Sequence, residues 1–256
     1  MKRKGWYFVT AAMCLGLLAA CHSDDGEPDI PGESMAEVVF RVVNYTQYSL
    51  DEVTRASAEV LDHLVLGVFD AETDAPVGSL TVQDKGDEDY GTFTVSLPQG
   101  SYRLVFLGYS GTRACSMPSA AAVSFADNAV PQTFLYSMPL TVGEASLPAQ
   151  NIVLKRAVGA FRLTLADAIP SELSAMRFRF DGGSTKLDAR RGYAADNAGR
   201  TYDISIPGSY VGKTDTKMTV YLFLPEGESP MDITVDAPGE YTIEVGDTAG
   251  TITIAE

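Results

Sequence analysis

Apolar and polar residues alternate with a period of two along most of this chain. Successive side chains of a β-strand point to opposite faces of its sheet, so this period is typical of strands that bury one face. Turn signals rich in Gly, Pro and Asp separate the runs at about ten-residue spacing, which predicts an all-β protein of sandwiches rather than alternating strands and helices. The predicted strands are residues 38–44, 64–69, 77–82, 90–97, 102–109, 130–136, 152–155, 160–165, 176–180, 201–206, 218–224, 231–235, 241–245 and 251–254.

Two segments depart from this pattern and predict helices. Ser49 and Glu52 have the spacing of a capping box, in which each side chain bonds the backbone of the first helical turn. Apolar residues within 50–61 then fall near one helical face, so we expect a short helix after the first strand. Residues 116–122, which are rich in Ala and Ser, are a weaker candidate.

The N-terminus has the three parts of a bacterial export signal. Basic residues at 2–4 come first, an apolar run follows, and the small residues Ala19 and Ala20 precede Cys21. The run is shorter than the roughly 20 residues of a membrane-spanning helix. Leu-Ala-Ala-Cys at 18–21 resembles the lipobox of bacterial lipoproteins. The resemblance implies a signal peptide over 1–20, cleavage before Cys21 and acyl chains (palmitate or similar) on Cys21, whereas the alternative is an ordinary signal peptide that contains a cysteine.

The segment after the cysteine predicts a flexible tether over residues 21–34. It is acidic and contains Gly and Pro, so it has too few apolar residues to pack a core. Ser23, Asp24 and Asp25 resemble the acidic surface-export signal of Bacteroidota lipoproteins, which implies the outer face of the cell outer membrane. A solvated acidic spacer explains the same residues equally well.

Charge and cysteine content narrow the classes of partner. The chain has 34 acidic and 19 basic residues and a formal net charge of −15, which repels phosphate backbones and argues against nucleic-acid binding. Cys14 lies in the predicted signal peptide and Cys21 is predicted to be acylated, so Cys115 has no partner for an intrachain disulfide. We therefore expect the fold to be stabilised by apolar cores.

A domain boundary is predicted near Arg156. Residues 138–149 form a looser stretch, and strict alternation restarts after the boundary, at 158–165. This divides the body into an N-terminal domain over 35–155 and a C-terminal domain over 156–256. Each half contains a Leu-Pro-x-Gly signal, at 97–100 and 224–227, where Pro ends a strand and Gly completes the turn.

Five segments of the predicted strands and turns follow one another in an informative order. They are Val-Phe-Arg-Val-Val-Asn-Tyr at 39–45, Leu-Val-Leu-Gly-Val-Phe-Asp at 64–70, Leu-Pro-Gln-Gly-Ser-Tyr-Arg-Leu-Val-Phe-Leu-Gly-Tyr at 97–109, Ile-Val-Leu-Lys-Arg-Ala-Val-Gly-Ala-Phe-Arg-Leu-Thr-Leu at 152–165 and Ala-Ile-Pro at 168–170. This order resembles the FimB-type fimbrial subunits of Bacteroidales, the lipidated anchor relatives of the fimbrillins. The resemblance covers most of residues 36–236 and implies two transthyretin-like β-sandwich domains in tandem, attachment to the outer membrane, and a role in fimbria (type V pilus) assembly or cell adhesion. The short segment after Val235 departs from the family pattern.

The resemblance also implies that the chain joins other fimbrial subunits by β-strand addition. Physically, a strand of one subunit then completes the open sheet edge of the next. The candidate donor strand is Thr251, Ile252, Thr253 and Ile254 near the end of the sequence, and the alternative is a last strand of the chain's own sheet. Arg55-Ala56 resembles the maturation cleavage site of fimbrillins only weakly.

Other functions have weaker signals. The two histidines, His22 and His63, lie in the tether and at the start of a strand, and no His/Cys spacing suits a metal, so we expect neither an enzyme nor a cofactor. The acidic cluster at 84–89 is expected to be a solvated turn rather than a calcium site. Asp247-Thr248-Ala249 resembles the O-glycosylation site of Bacteroidota, at Thr248. The runner-up function is a surface glycan-binding lipoprotein that uses tyrosines near loops, namely Tyr45, Tyr48, Tyr109, Tyr193 and Tyr210.

Overall fold

A computed structural model describes residues 35–48, 53–56, 61–144, 147–227, 231–236 and 252–255, with no side chains described in 46–48, 53–56 and 252–255. These residues are almost entirely β-strands and turns, with two short 3₁₀ turns at Ala126–Asn128 and Gly208–Tyr210. The all-β prediction is confirmed. Within this part of the chain, no helix is long and apolar enough to cross a membrane.

The strands are numbered in chain order. Those of the N-terminal half are β1 (Ala36–Tyr48), β2 (Val53–Ala56), β3 (His63–Asp70), β4 (Thr81–Asp84), β5 (Thr92–Leu97), β6 (Gly100–Tyr109), β7 (Cys115–Ser119), β8 (Ala122–Phe125), β9 (Thr133–Val142) and β10 (Gln150–Arg156). Those of the C-terminal half are β11 (Gly159–Leu165), β12 (Ala175–Phe180), β13 (Leu187–Asp188), β14 (Tyr193–Ala194), β15 (Arg200–Ser205), β16 (Thr216–Leu222), β17 (Ile233–Asp236) and β18 (Ile252–Ala255).

Eight strands of the N-terminal half form one mixed sheet that folds back on itself. Its order is β2-β1-β10-β9-β6-β3-β4, and β5 also pairs with β1. β1 is parallel to β10 and antiparallel to β2 and β5. Phe40 of β1 and Phe106 of β6 are separated by two strands in this order, yet their ring centroids are 5.2 Å apart. The two parts of the sheet therefore pack face to face around an apolar core, as in a β-sandwich.

A second apolar cluster covers the other face of β3 and β6. Both strands contain nearly continuous apolar runs because both of their faces are buried: Leu104 points into the sandwich and Val105 into the second cluster. The cover is a small sheet in the order β14-β13-β8-β7, to which both halves of the chain contribute. Leu187 and Phe223, which lie beyond the boundary near Arg156, pack in this cluster. The division into two domains there stays a prediction.

The C-terminal half forms two sheets around a third core. One pairs β11 with β16, and the other has the order β15-β12-β17-β18. Phe161 of β11 faces Phe178 of β12 with ring centroids 5.9 Å apart. β12 alternates strictly, with Met176, Phe178 and Phe180 buried and the residues between them exposed. This regular alternation explains why the sequence predicts the strand well.

A charged network joins the turn after β3 to the β13–β14 hairpin. Asp74 accepts hydrogen bonds from the backbone N–H groups of Ala120 and Ala121, both at 3.2 Å. Arg190 lies 3.7 Å from the Asp74 carboxylate and donates to Asp188 at 2.9 Å. Burial of the Asp188 carboxyl opposes its ionisation, but hydrogen bonds from the side chain and backbone of Arg190 and the guanidinium charge hold its pKa below the ordinary value. The network fixes the small sheet to the N-terminal sandwich.

The helix predicted within residues 50–61 is wrong where the structure describes the chain. Val53–Ala56 is strand β2 and pairs antiparallel with β1, from Tyr45 opposite Ala56 to Tyr48 opposite Val53. The edge of β1 supplies hydrogen-bond partners, and the β-branched Val53 and Thr54 favour a strand. The capping-box residues Ser49 and Glu52 lie outside the described residues.

The second predicted helix, 116–122, is also wrong, because these residues form most of the β7–β8 hairpin. Met117, Ala120 and Val123 are buried against the N-terminal sandwich, and this tertiary burial overrides the helix propensity of the Ala residues. The stretch 138–149 is less loose than expected, since β9 continues to Val142 along β6. The predicted strand 77–82 is reduced to Thr81–Asp84, and 241–245 lies outside the described residues.

Candidate functional site: exposed sheet edges

Most of the site residues inferred from the sequence lie outside the described residues, namely Cys21, Ser23, Asp24, Asp25, Thr248 and Thr251. Within the described residues, the candidate site is a set of exposed sheet edges.

Ile252, Thr253 and Ile254 are described as part of β18. This strand is parallel to β17, with Ile252 opposite Ile233 and Ile254 opposite Val235. Ile233 and Val235 are 6% and 0% exposed and belong to the third core. β18 is the last strand in its sheet order, so its edge away from β17 has no strand partner in the described part of the chain.

A second edge lies along β5, whose backbone groups alternate between β1 and the outside. The N–H of Val42 donates to the carbonyl of Gly91 at 2.8 Å, and the antiparallel register continues with Phe40 opposite Phe93. Hydrogen-bonded and non-hydrogen-bonded positions alternate in such a pair. The N–H and C=O groups of Thr94 and Ser96 therefore point away from β1.

Gln83 of β4 closes one end of this edge. Its side chain is 3% exposed, its Nε2 donates to the carbonyl of Thr92 at 2.7 Å, and its Oε1 accepts from the N–H of Gly91 at 2.9 Å. Farther along β5, past these two hydrogen bonds of Gln83, no described group bonds the outward N–H and C=O groups of Thr94 or Ser96. The open part of the edge therefore offers two donors and two acceptors to an incoming strand.

The side chains of β5 do not discourage strand addition. Proline and charged residues on an edge strand are the usual protection against unwanted pairing, and Thr-Phe-Thr-Val-Ser-Leu at Thr92–Leu97 contains neither. Every other edge strand of four or more residues with described side chains contains one: Asp84 in β4, Pro118 in β7, Arg162 in β11, Asp203 in β15 and Lys217 in β16. Among these strands, β5 is the best acceptor. The sequence shows its uncharged alternation but not its place at an edge.

The tyrosines proposed for glycan binding divide into two groups. Tyr45 and Tyr109 are buried, at 1% and 3% exposure, so they offer no ring face to a sugar. Tyr193 and Tyr210 are 39% and 38% exposed. The side chain of Tyr48 lies outside those described.

Two titratable side chains considered in the sequence, His63 and Cys115, lie against the second apolar cluster. His63 borders the core as expected: its ring stacks on Tyr109 with centroids 4.8 Å apart, and both of its nitrogens contact oxygen atoms. Burial raises the pKa of the Cys115 thiol to about 12, so the thiol is protonated near neutral pH. No three His, Cys, Asp or Glu side chains among the described residues converge as a metal site would require.

The chain is similar to several solved structures. A candidate adhesin from Bacteroides ovatus, which supports the fold, is 14% identical, with a TM-score of 0.51 over 79% of this chain and 74% of its own. The fimbrial anchor protein Mfa2 from Porphyromonas gingivalis is 13% identical over 79% of this chain and 78% of its own, with a TM-score of 0.41. The tip fimbrial protein Mfa3 from the same organism, truncated at its C-terminus, is 14% identical over 82% and 81%, with a TM-score of 0.37.

Comparison with curated proteins gave no match. The family comparison is the decisive one, because residues 29–252 match the fimbrillin-A associated anchor proteins Mfa1 and Mfa2. The match includes the β5 edge and most of the sheets described above. The resemblance noted in the sequence is thereby confirmed, and the chain belongs to this family of fimbrial anchor proteins.

Proposed function

We propose that this chain is a non-enzymatic anchor or accessory subunit of a fimbria, held on the outer membrane by lipid. Family membership over residues 29–252 is the observation that carries this proposal. The lipobox-like sequence ending at Cys21 supports lipid attachment, since several acyl chains anchor a protein stably where one does not. Ser23, Asp24 and Asp25 support display on the outer face.

The subunit joins its neighbours by β-strand addition in this proposal. The edge of β5 accepts a strand through the outward backbone groups of Thr94 and Ser96, which supply register, while the exposed side chains of Thr94 and Ser96 face solvent. The segment from Thr251 to Ile254 is the candidate donor. Its pairing with β17 means that donation requires it to leave its own sheet.

Maturation cleavage after Arg55 has a structural obstacle. The Arg55-Ala56 bond lies in β2, where Arg55 is opposite Thr46 of β1. A protease binds its substrate in an extended, accessible form, so β2 would first have to separate from β1. We therefore propose that the chain acts without this cleavage.

Crosslinking on intact cells tests the fimbrial role directly. Cells that carry a tagged chain are mildly crosslinked, and the proteins that copurify with the tag are identified. The proposal predicts fimbrial subunits of the same cell, recovered from the surface fraction. Recovery of polysaccharide-uptake proteins without fimbrial subunits would contradict it and favour the glycan alternative.

Glycan binding stays the alternative because Tyr193 and Tyr210 are exposed. A sugar ring stacks on an exposed aromatic face, so removal of the rings would abolish such binding. The double variant Tyr193→Ala/Tyr210→Ala, compared with Tyr193→Phe/Tyr210→Phe on a glycan array, measures this contribution. Loss of a glycan signal in the Ala variant alone would support the alternative.

A further inference from the structure

His63, the first residue of β3, connects three elements. Its Nδ1 lies 2.6 Å from Oδ1 of Asp84 in β4, and its Nε2 lies 2.7 Å from the carbonyl oxygen of Gly111, in the loop after β6. Its ring also stacks on Tyr109 of β6. The side chain is 22% exposed, so water reaches it but does not surround it.

Both contacts of the His63 ring are with hydrogen-bond acceptors. A carboxylate and a backbone carbonyl each need a donor, and neutral imidazole has one N–H whereas the imidazolium ion has two. With neutral His63, one nitrogen would present its lone pair to an oxygen less than 3 Å away. The observed geometry therefore corresponds to the doubly protonated ring.

We propose that His63 is a pH-dependent latch on the loop 110–114. When both ring nitrogens carry protons, His63 holds Asp84 and Gly111 together. When the ring loses a proton, the remaining N–H stays with the Asp84 carboxylate, because a hydrogen bond to a charged acceptor is the stronger one. The contact with the Gly111 carbonyl is then repulsive, and that side of the loop is released.

The groups around His63 hold the N–H side of Gly111 and leave its carbonyl to the histidine. Asp62 accepts from the N–H of Gly111 at 2.7 Å, and this bond does not depend on the charge of His63. Lys85 follows Asp84, and its backbone N–H donates to the carbonyl of Asp62. Burial raises the pKa of Tyr109 to about 12, so the phenol stacked on His63 is neutral near neutral pH. The bond from the Gly111 N–H to Asp62 therefore remains when the latch opens, and only the carbonyl side of Gly111 is released.

The latched loop forms one wall of a surface cavity of about 640 Å³. Arg113, farther along the loop, donates to Asp127 at 2.8 Å across this cavity. Asp127 and Asn128 both have positive φ, of 59° and 52°, in the left-handed region that Asp and Asn adopt more readily than other non-Gly residues. Release of Gly111 therefore changes the wall of the cavity that faces Asp127.

The ¹³C chemical shift of the Gly111 carbonyl tests the latch in the whole mature chain, because this carbonyl is the group that His63 holds. The shift is measured by NMR at pH 5.5 and pH 8, on either side of the ordinary range for histidine. We expect the Gly111 carbonyl to move upfield between these pH values, as a carbonyl does when it loses a hydrogen bond, and a shift that does not change would overturn the proposal. Ring ¹⁵N NMR on the same samples should show two protonated nitrogens on His63 at pH 5.5 and one at pH 8.

Two variants separate the latch from general loosening of the loop. His63→Gln cannot carry the charge, so the shift of its Gly111 carbonyl should be the same at both pH values. Asp127→Asn weakens the pair with Arg113 but leaves the contacts of His63 in place, so its pH-dependent shift should match that of the wild type. An equal pH-dependent shift in wild type and His63→Gln would overturn the proposal. If His63→Gln does not fold, the wild type decides: the change in ring protonation and the change in the Gly111 carbonyl shift must have the same midpoint, and different midpoints would overturn it.

Discussion

Single side chains position the contacts between the two halves of the chain. Asp188 is the clearest case, because it holds Arg190, whose guanidinium lies 3.7 Å from Asp74 of the N-terminal half. Its side chain is 8% exposed and accepts hydrogen bonds from Arg190, which hold its pKa below the ordinary value. When the pKa of a carboxyl is lower in the folded than in the unfolded state, the ionised carboxyl stabilises the fold. For Asp this stabilisation is fully present above the pKa of the unfolded state, about 3.9, and is lost as the pH falls through the pKa of the folded state.

Asp188→Asn should therefore lower the free energy of unfolding by about 1–3 kcal/mol at pH 7, the usual cost of breaking a buried charged hydrogen bond. Urea unfolding at pH 7 and below pH 3 measures this, and the difference from wild type should shrink in acid. Asp203→Asn, in the exposed pair with Arg177, is the matched control and should change little. An equal effect of both substitutions would contradict the role given to Asp188.

Gly108 in β6 shows how tightly the first core is packed. A Cβ at this position would lie 2.4 Å from Cδ1 of Leu61 and 2.7 Å from Cδ1 of Leu154. Gly108→Ala should therefore destabilise the protein by about 1–3 kcal/mol through overpacking. Gly143→Ala, where a Cβ would meet nothing within 4 Å, is the control, and thermal unfolding compares the two. A neutral Gly108→Ala would show that the core has more room.

Strands with one buried face could be predicted from the sequence, and segments whose structure depends on distant partners could not. β12 alternates strictly and was predicted within one residue at its start. The three alanines at 120–122 favour a helix, but Pro118 does not, and burial in the cluster above β3 and β6 makes the segment a hairpin. The apolar run of β6 predicts a strand, but it does not indicate which element covers the face of β6 that points away from the sandwich core. The contacts of His63 with Asp84 and Gly111 span 21 and 48 residues of sequence, so no local pattern indicates them.

The edge of β5 can be tested by removing one backbone donor. The N–H of Thr94 points away from β1, so Thr94→Pro removes no bond to β1 but blocks an incoming strand. We expect it to reduce copurification of crosslinked fimbrial subunits at least tenfold while the unfolding midpoint stays near that of wild type. Thr94→Val keeps the N–H and the β-branched shape and should copurify normally. Normal copurification by a folded Thr94→Pro would rule out this edge.

The donor role of β18 is tested by the double substitution Ile252→Asp/Ile254→Asp. These residues lie opposite Ile233 and Val235, and burying two isoleucines contributes roughly 3–6 kcal/mol before ordering costs. We expect the double variant to destabilise the C-terminal sheet, as circular dichroism and urea unfolding would show, because β18 belongs to that sheet. A folded variant that loses its partners would instead identify β18 as the donor. A folded variant that keeps them would exclude β18 from both roles.

The sequence predicts the fold class and the family of the chain, and family membership is confirmed over residues 29–252. The connection between the halves was not predicted, because it depends on a small sheet assembled from β7 and β8 on one side and β13 and β14 on the other. Short strands of two to five residues have weak periodic signals, and their pairing is decided by burial between elements.

We propose that this chain attaches a fimbria to the outer membrane through lipid on Cys21. Cys21→Ser removes the sulfur that carries the acyl group, so the variant should lose fatty-acid labelling. The decisive measurement is the division of fimbriae between cells and culture medium. We predict that wild-type cells retain their fimbriae, whereas Cys21→Ser cells release most of them into the medium together with the variant chain. If fimbriae remain on Cys21→Ser cells as on wild-type cells despite the loss of labelling, attachment through Cys21 is contradicted.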